Sequence, residues 1–91
     1  MMRWLREHPS DAPLVGNLPE VPLLATNHRA RFLGYAGIPE RIAECGPGAI
    51  LVWIEGVPPG SVLPDVAAHG LMLVPLMRCA QGGVYRVERA P

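Results

Sequence analysis

Short apolar runs alternate along this chain with segments whose apolar positions recur at helical spacing, and proline or glycine stands at nearly every junction. In residues 2–8, MRWLREH, Met2 and Leu5 lie three apart and Trp4 and His8 four apart, and Pro9 follows. That spacing predicts a short helix ended by the proline. Leu14–Asn17 reads as a brief buried strand, and Pro19 suits the first turn of a helix, with Asn17 or Leu18 at its cap and Glu20 near the positive end of its dipole. Leu18, Val21 and Leu24 carry this second helix to about Thr26-Asn27. Ala30, Phe32 and Gly34 alternate with Arg29, Arg31 and Leu33, the period of a half-exposed strand.

The next segment, IPERIAECGPG, begins with a proline near a helix start, sets Ile38, Ile42 and Cys45 on one stripe and stops at Gly46-Pro47-Gly48. AILVWIE, residues 49–55, is a continuous apolar run with β-branched and aromatic residues, as expected of a central strand covered on both faces. Ser61 is placed to cap a helix over 62–70, VLPDVAAHG, with Gly70 as its stop. LMLVPLMRC is another apolar strand, which Pro75 demotes to an edge or a bulge at that point. Gln81-Gly82-Gly83 then turns the chain into VYRVER, closing an antiparallel hairpin. Strands alternating with helices imply parallel pairing. The predicted fold is therefore a single α/β domain over 1–91: a small, open, mostly parallel sheet of about four or five strands, with flanking helices and a C-terminal antiparallel hairpin.

Composition narrows the classes of function. Eight Lys plus Arg balance eight Asp plus Glu, which argues against a phosphate-neutralising surface for nucleic acid. Charged residues make up 18% of the chain, below the roughly 25% of an average domain, and hydrophobic residues 49%; this predicts that part of the surface is covered by something else. The N-terminus has Arg3 and Arg6 but no apolar stretch of ~7–15 residues behind them, so no export address is read there. No run approaches the roughly 18–20 apolar residues of a membrane span.

Candidate chemistry is sparse. In an open α/β sheet, ligands gather beyond the carboxyl ends of parallel strands. This directs attention to Asn17, Leu18, Pro19 and Glu20 after the first strand, and to Glu55, Gly56, Val57 and Pro58 after the central one. Asn17, Glu20 and Glu55 are the candidate binding residues, although Asn17 reads more simply as a helix cap and Glu55 as a solvated strand end. GPGAIL is a turn, because it precedes a strand and lacks the Lys-Ser/Thr pair of a phosphate loop. His8, His28 and His69 with Cys45 and Cys79 show no paired ligand spacing, so no metal and no cofactor are expected. Two readings of the cysteines stand side by side: two apolar thiols, or one Cys45–Cys79 bridge. Arg29, Arg31 and Arg41 read as an exposed strand face with a neighbour, and Trp4 as either core or a membrane-interface anchor. No catalytic residue is assigned, since no acid, base and nucleophile converge.

The order of motifs RWLREHP, PLVGNLPEVPLLAT, AILVWIE and GGVYRV resembles the soluble extracytoplasmic C-terminal region of large multi-pass bacterial glycosyltransferases. These are the enzymes that use polyprenyl-phosphate sugars, such as the protein mannosyltransferases and aminoarabinose transferases. The resemblance spans roughly residues 3–88 on short motifs. It departs from the pattern in beginning with Met1-Met2 without a span, and in placing Gly16 where a small hydroxyl residue or Ala precedes the Asn. A chain boundary just after the last span would account for the first departure. The resemblance implies a non-catalytic accessory domain on the periplasmic side, with 1–9 as the tail of a linker helix, docked on the membrane-embedded part of its own parent. It also implies an oxidising compartment, in which the Cys45–Cys79 bridge becomes open. The alternative is a free-standing cytoplasmic α/β binding or regulatory domain that dimerises through an apolar face or edge; an autonomous enzyme is the third reading.

Overall fold

The computed structural model describes residues 2–8, 12–17, 29–32, 34, 37–56 and 59–91. In chain order its elements are α1 (Met2–Glu7), β1 (Pro13–Gly16), β2 (Arg29–Phe32), α2 (Ile38–Cys45), β3 (Ile50–Ile54), a 3₁₀ turn (Ala67–His69), β4 (Leu71–Cys79) and β5 (Gly82–Arg89). The strands form one five-stranded sheet in the order β2-β1-β3-β5-β4. The expected helix over Pro19–Asn27 lies outside the described residues.

The continuous apolar run of β3 has the predicted cause. Leu51 and Trp53 point to one face, with Val15, Tyr85 and Val87, where Ile38 and Ile42 of α2 pack on them. Ile50 and Val52 point to the other, with Leu14 and Val84, where Leu5 of α1 covers them. With both faces buried, period-two alternation vanishes from the sequence. α1 is far too short to hold itself together. His8 caps its end by donating Nδ1–H to the Trp4 carbonyl at 2.8 Å, and its ring stacks on the Trp4 indole with centroids 4.1 Å apart. Trp4 is half-buried against the Leu5 cluster.

The sheet is mixed, which corrects the expectation of a mostly parallel one. β1 pairs in parallel with both β2 and β3, but β5 pairs antiparallel with β3 and β4, so the described pairings divide evenly. The hairpin enters the sheet with its second strand inward. β5 buries Gly82 to Tyr85 and Val87, whereas β4 is half-exposed and carries Pro75, with the register shifting between Pro75 and Met77. A strand that lacks a ladder donor belongs at an edge. Gly82 lies so close to β3 that a Cβ there would overlap the Trp53 carbonyl oxygen, and a Cβ on Gly83 would stand 2.9 Å from the Met77 carbonyl oxygen. The two glycines thus admit β5 to the interior of the sheet.

A second correction concerns 62–70, where a helix was expected from Ser61. Only Ala67–His69 forms a 3₁₀ turn, and residues 61–66 are irregular. The Asp65 carboxylate accepts the Ala67 N–H at 2.9 Å, a local bond that competes with helix formation, and Ser61 Oγ caps nothing. By contrast α2 ends where predicted, with the Gly46 N–H shared between the Ile42 and Ala43 carbonyls.

Candidate functional site

β2 delivers the chain to the start of α2, and β3 ends two residues after Val52, so both lead to one end of the sheet. There, among the described residues, Gly37, Ile38 and Pro39 of the helix start, Trp53 of β3, and Ser61, Val62 and Pro64 of the loop after β3 enclose a cleft of about 280 Å³. It lies beyond the carboxyl ends of the parallel strands, as the connectivity of an α/β sheet requires. Its size is at the lower limit of small-molecule sites, about 300 Å³.

Local sequence explains each wall. Gly37 caps α2 with φ 63° and ψ 33°, a left-handed conformation suited to glycine, and no side chain caps the helix. Proline follows within the first turn, so one of the helix-start donors is absent from the outset. The Trp53 indole is held by the α2 side of the core and is 1% exposed. The loop owes its irregular path to Pro59, Gly60 and Pro64. Val62, 76% exposed, forms the rim.

The wall is mostly apolar; two of its residues also carry a polar atom that is buried away from solvent without a hydrogen-bond partner, Trp53 Nε1 and Ser61 Oγ. They do not satisfy each other. Beside the cleft, the Glu40 carboxylate reaches back over the helix start, with Oε2 3.7 Å from where a Cβ on Gly37 would stand. Its other oxygen lies 4.0 Å from His69 Nε2. No lysine, arginine or histidine belongs to the described wall.

The residues singled out by sequence lie elsewhere. Asn17 is completely buried, and its amide serves the sheet: Nδ2–H donates to the Ile54 carbonyl at 2.7 Å, and the Ile54 N–H donates to Oδ1 at 2.8 Å. This reciprocal pair extends the contact of β1 with β3 past the last ladder pair, Gly16 and Val52. The oxygen expected to cap a helix start is thus engaged by a neighbouring strand. Glu20 lies outside the described residues. Glu55 is exposed in the turn after β3, and its N–H donates to the Gln81 carbonyl at 2.8 Å, tying that turn to the hairpin.

Cys45 and Cys79 are thiols, so the Cys45–Cys79 bridge is not formed. Cys45 packs half-buried at the end of α2, while Cys79 is exposed at the end of β4. Among the described residues no group of three His, Cys, Asp or Glu is arranged to hold a metal ion, and no helix is long and apolar enough to cross a membrane. Sequence reasoning placed Trp53 in a strand covered on both faces and Ser61 at a helix cap. It missed their shared cleft because no local spacing links positions eight apart across an irregular loop.

Compared with protein-family models, curated proteins and solved structures, the chain matches none. What the fold and site define is a small α/β domain with a mixed sheet and one apolar cleft beyond its parallel strand ends, among the described residues.

Proposed function

We propose that this chain is a small binding module whose ligand enters the cleft between the start of α2, Trp53 and the loop at Ser61. The observation that carries this reading is the apolar cleft of about 280 Å³ beyond the carboxyl ends of the parallel strands. Ile38, Pro39, Val62 and Pro64 offer a small ligand apolar contact area there.

The test is a nuclear magnetic resonance titration of the full chain with a panel of small ketones, amides and carboxylic acids, following the two tryptophan indole N–H signals. A saturable shift of Trp53 with Trp4 as the unmoved internal control is expected. If no member of the panel moves the Trp53 signal at millimolar concentration, the binding reading is lost.

A second reading draws on the segments behind the sequence resemblance, which supply α1, β1, β3 and β5. In this reading the module is the non-catalytic accessory domain of a polyprenyl-phosphate-sugar membrane glycosyltransferase, on the extracytoplasmic side. The half-buried Leu76 and Met77 and the exposed Met72 favour a covered face, whether by the parent's membrane part or by a second copy. An immunoblot of membrane and soluble fractions from the native cell separates these cases. A membrane-bound band several times larger than 9.8 kDa agrees with the accessory domain, and a soluble band at 9.8 kDa overturns it.

A further inference from the structure

Independently of the cleft, we infer that the chain forms a weak two-fold dimer through the open part of the sheet face that carries α1, with Arg86 of each copy meeting Glu88 of the other. The register places Val74 of β4 beside Arg86 of β5, and Met72 beside Glu88. Both rows lie on the face of Ile50 and Val84, because strand alternation sends Tyr85 and Val87 to the opposite one. Of the described elements, α1 alone packs on this face. Its six residues make about 9 Å of helix, whereas the nine residues of β4 run for about 30 Å. The two rows are left partly open: Met72 is 40% exposed, and the Arg86 and Glu88 side chains are 47% and 38% exposed.

Charge selects a second copy as the occupant. Arg86 and Glu88 stand side by side on one strand, paired at 2.7 Å, so the patch carries one charge of each sign. A two-fold axis that crosses the strands between the two rows exchanges them: Arg86 faces Glu88 of the second copy, and Val74 faces its Met72. Each charge then has an opposite neighbour in its own chain and another across the axis. Eight basic residues balance eight acidic ones, so no net repulsion opposes association. A lipid surface fits this patch poorly, because hydrocarbon would meet a guanidinium and a carboxylate at its centre. Pairing along the β4 edge is disfavoured by Pro75 and the register shift that follows it. Two strands wide, the patch offers about 300 Å² in projection, below the ~800 Å² per partner of a stable complex. The dimer is therefore concentration-dependent.

The experiment is sedimentation equilibrium of the full chain from about 10 µM to about 1 mM. The apparent mass is expected to climb from 9.8 kDa towards twice that value. Arg86→Glu and Glu88→Arg, both at partly exposed positions, are each expected to remain monomeric, because like charges then face each other across the axis. An equimolar mixture of these two variants is expected to dimerise again, since one is acidic at both positions and the other basic at both. Should a charge reversal fail to fold, Met72→Glu decides, with an expected weakening of the dimer of about tenfold. A wild-type chain that is monomeric throughout overturns the inference. So do single variants that dimerise like the wild type, a mixture of folded variants that stays monomeric, or Met72→Glu without effect. A monomer that instead co-sediments with phosphatidylcholine vesicles also overturns it and makes this face a lipid contact.

Discussion

Asn17 is the residue on which the junction of two strands depends. Two of its amide hydrogen bonds end on backbone atoms of Ile54, so Asn17→Ala leaves a part-buried N–H and a part-buried C=O to find other partners. At about 1–3 kcal/mol per orphaned group, the loss expected in urea unfolding is roughly 2–4 kcal/mol at unchanged slope. A loss below about 0.5 kcal/mol would show that water replaces the amide. Ser61 behaves in the opposite sense. Its hydroxyl is buried without a partner, and removing an unsatisfied group relieves a penalty, so Ser61→Ala should keep or raise stability by up to about 1 kcal/mol in the ligand-free protein. A clear destabilisation would mean that this hydroxyl has a structural partner. Gly82→Ala forces a methyl group onto the Trp53 carbonyl, where backbone on both sides limits relief. The overpacking is expected to lower stability by about 1–3 kcal/mol or more, measurable as a fall in Tm.

Among the elements, α1 shows how little intrinsic propensity is needed when one side chain is well placed. It spans six residues, and its Arg3–Glu7 pair is exposed and contributes little. Leu5, wholly buried against Leu14, Ile50, Val52 and Val84, anchors it. Leu5→Ala should therefore cost about 2–5 kcal/mol and release the helix, seen as a loss of amide protection confined to residues 2–8. Uniform loss of protection across the sheet would instead make α1 part of one cooperative unit. The loop between β3 and the 3₁₀ turn is the contrasting case. Its prolines and the Asp65 bond prevent a helix, and that irregularity is what lets Ser61 and Val62 close over Trp53.

At the scale of the whole molecule, the order β2-β1-β3-β5-β4 makes the last strand in the chain the inner partner of β3. Val84, Tyr85 and Val87 of β5 contribute to the cores on both faces of the sheet. Removal of residues 82–91 is thus expected to abolish cooperative unfolding altogether, whereas a hairpin merely appended to a stable parallel sheet would leave a truncated domain with a sharp melt. The same arrangement leaves β4 at the edge, and the bulge between Pro75 and Met77 interrupts its ladder there. Edges blunted in this way resist uncontrolled pairing.

The sequence by itself determined the elements whose cause is local. Proline and glycine bounded α1 and α2, the run from Ile50 to Ile54 marked a strand covered on both faces, and Pro75 marked an edge or bulge in a closing hairpin. It also pointed to the end of the sheet where the cleft lies, because connectivity alone sends parallel strands and helix starts to one side. Which strand of the hairpin faces β3 was decided by close approach of two backbones at Gly82, and approach distance has no signature in hydrophobic period. The partner of Asn17 was decided in the same way. An amide competent to cap a helix start is equally competent to bond to a strand, and only the tertiary structure brings Ile54, 37 positions away, within 2.8 Å. The cleft belongs to this second kind: Trp53 and Ser61, eight positions apart, line one wall only because an irregular loop folds back against β3.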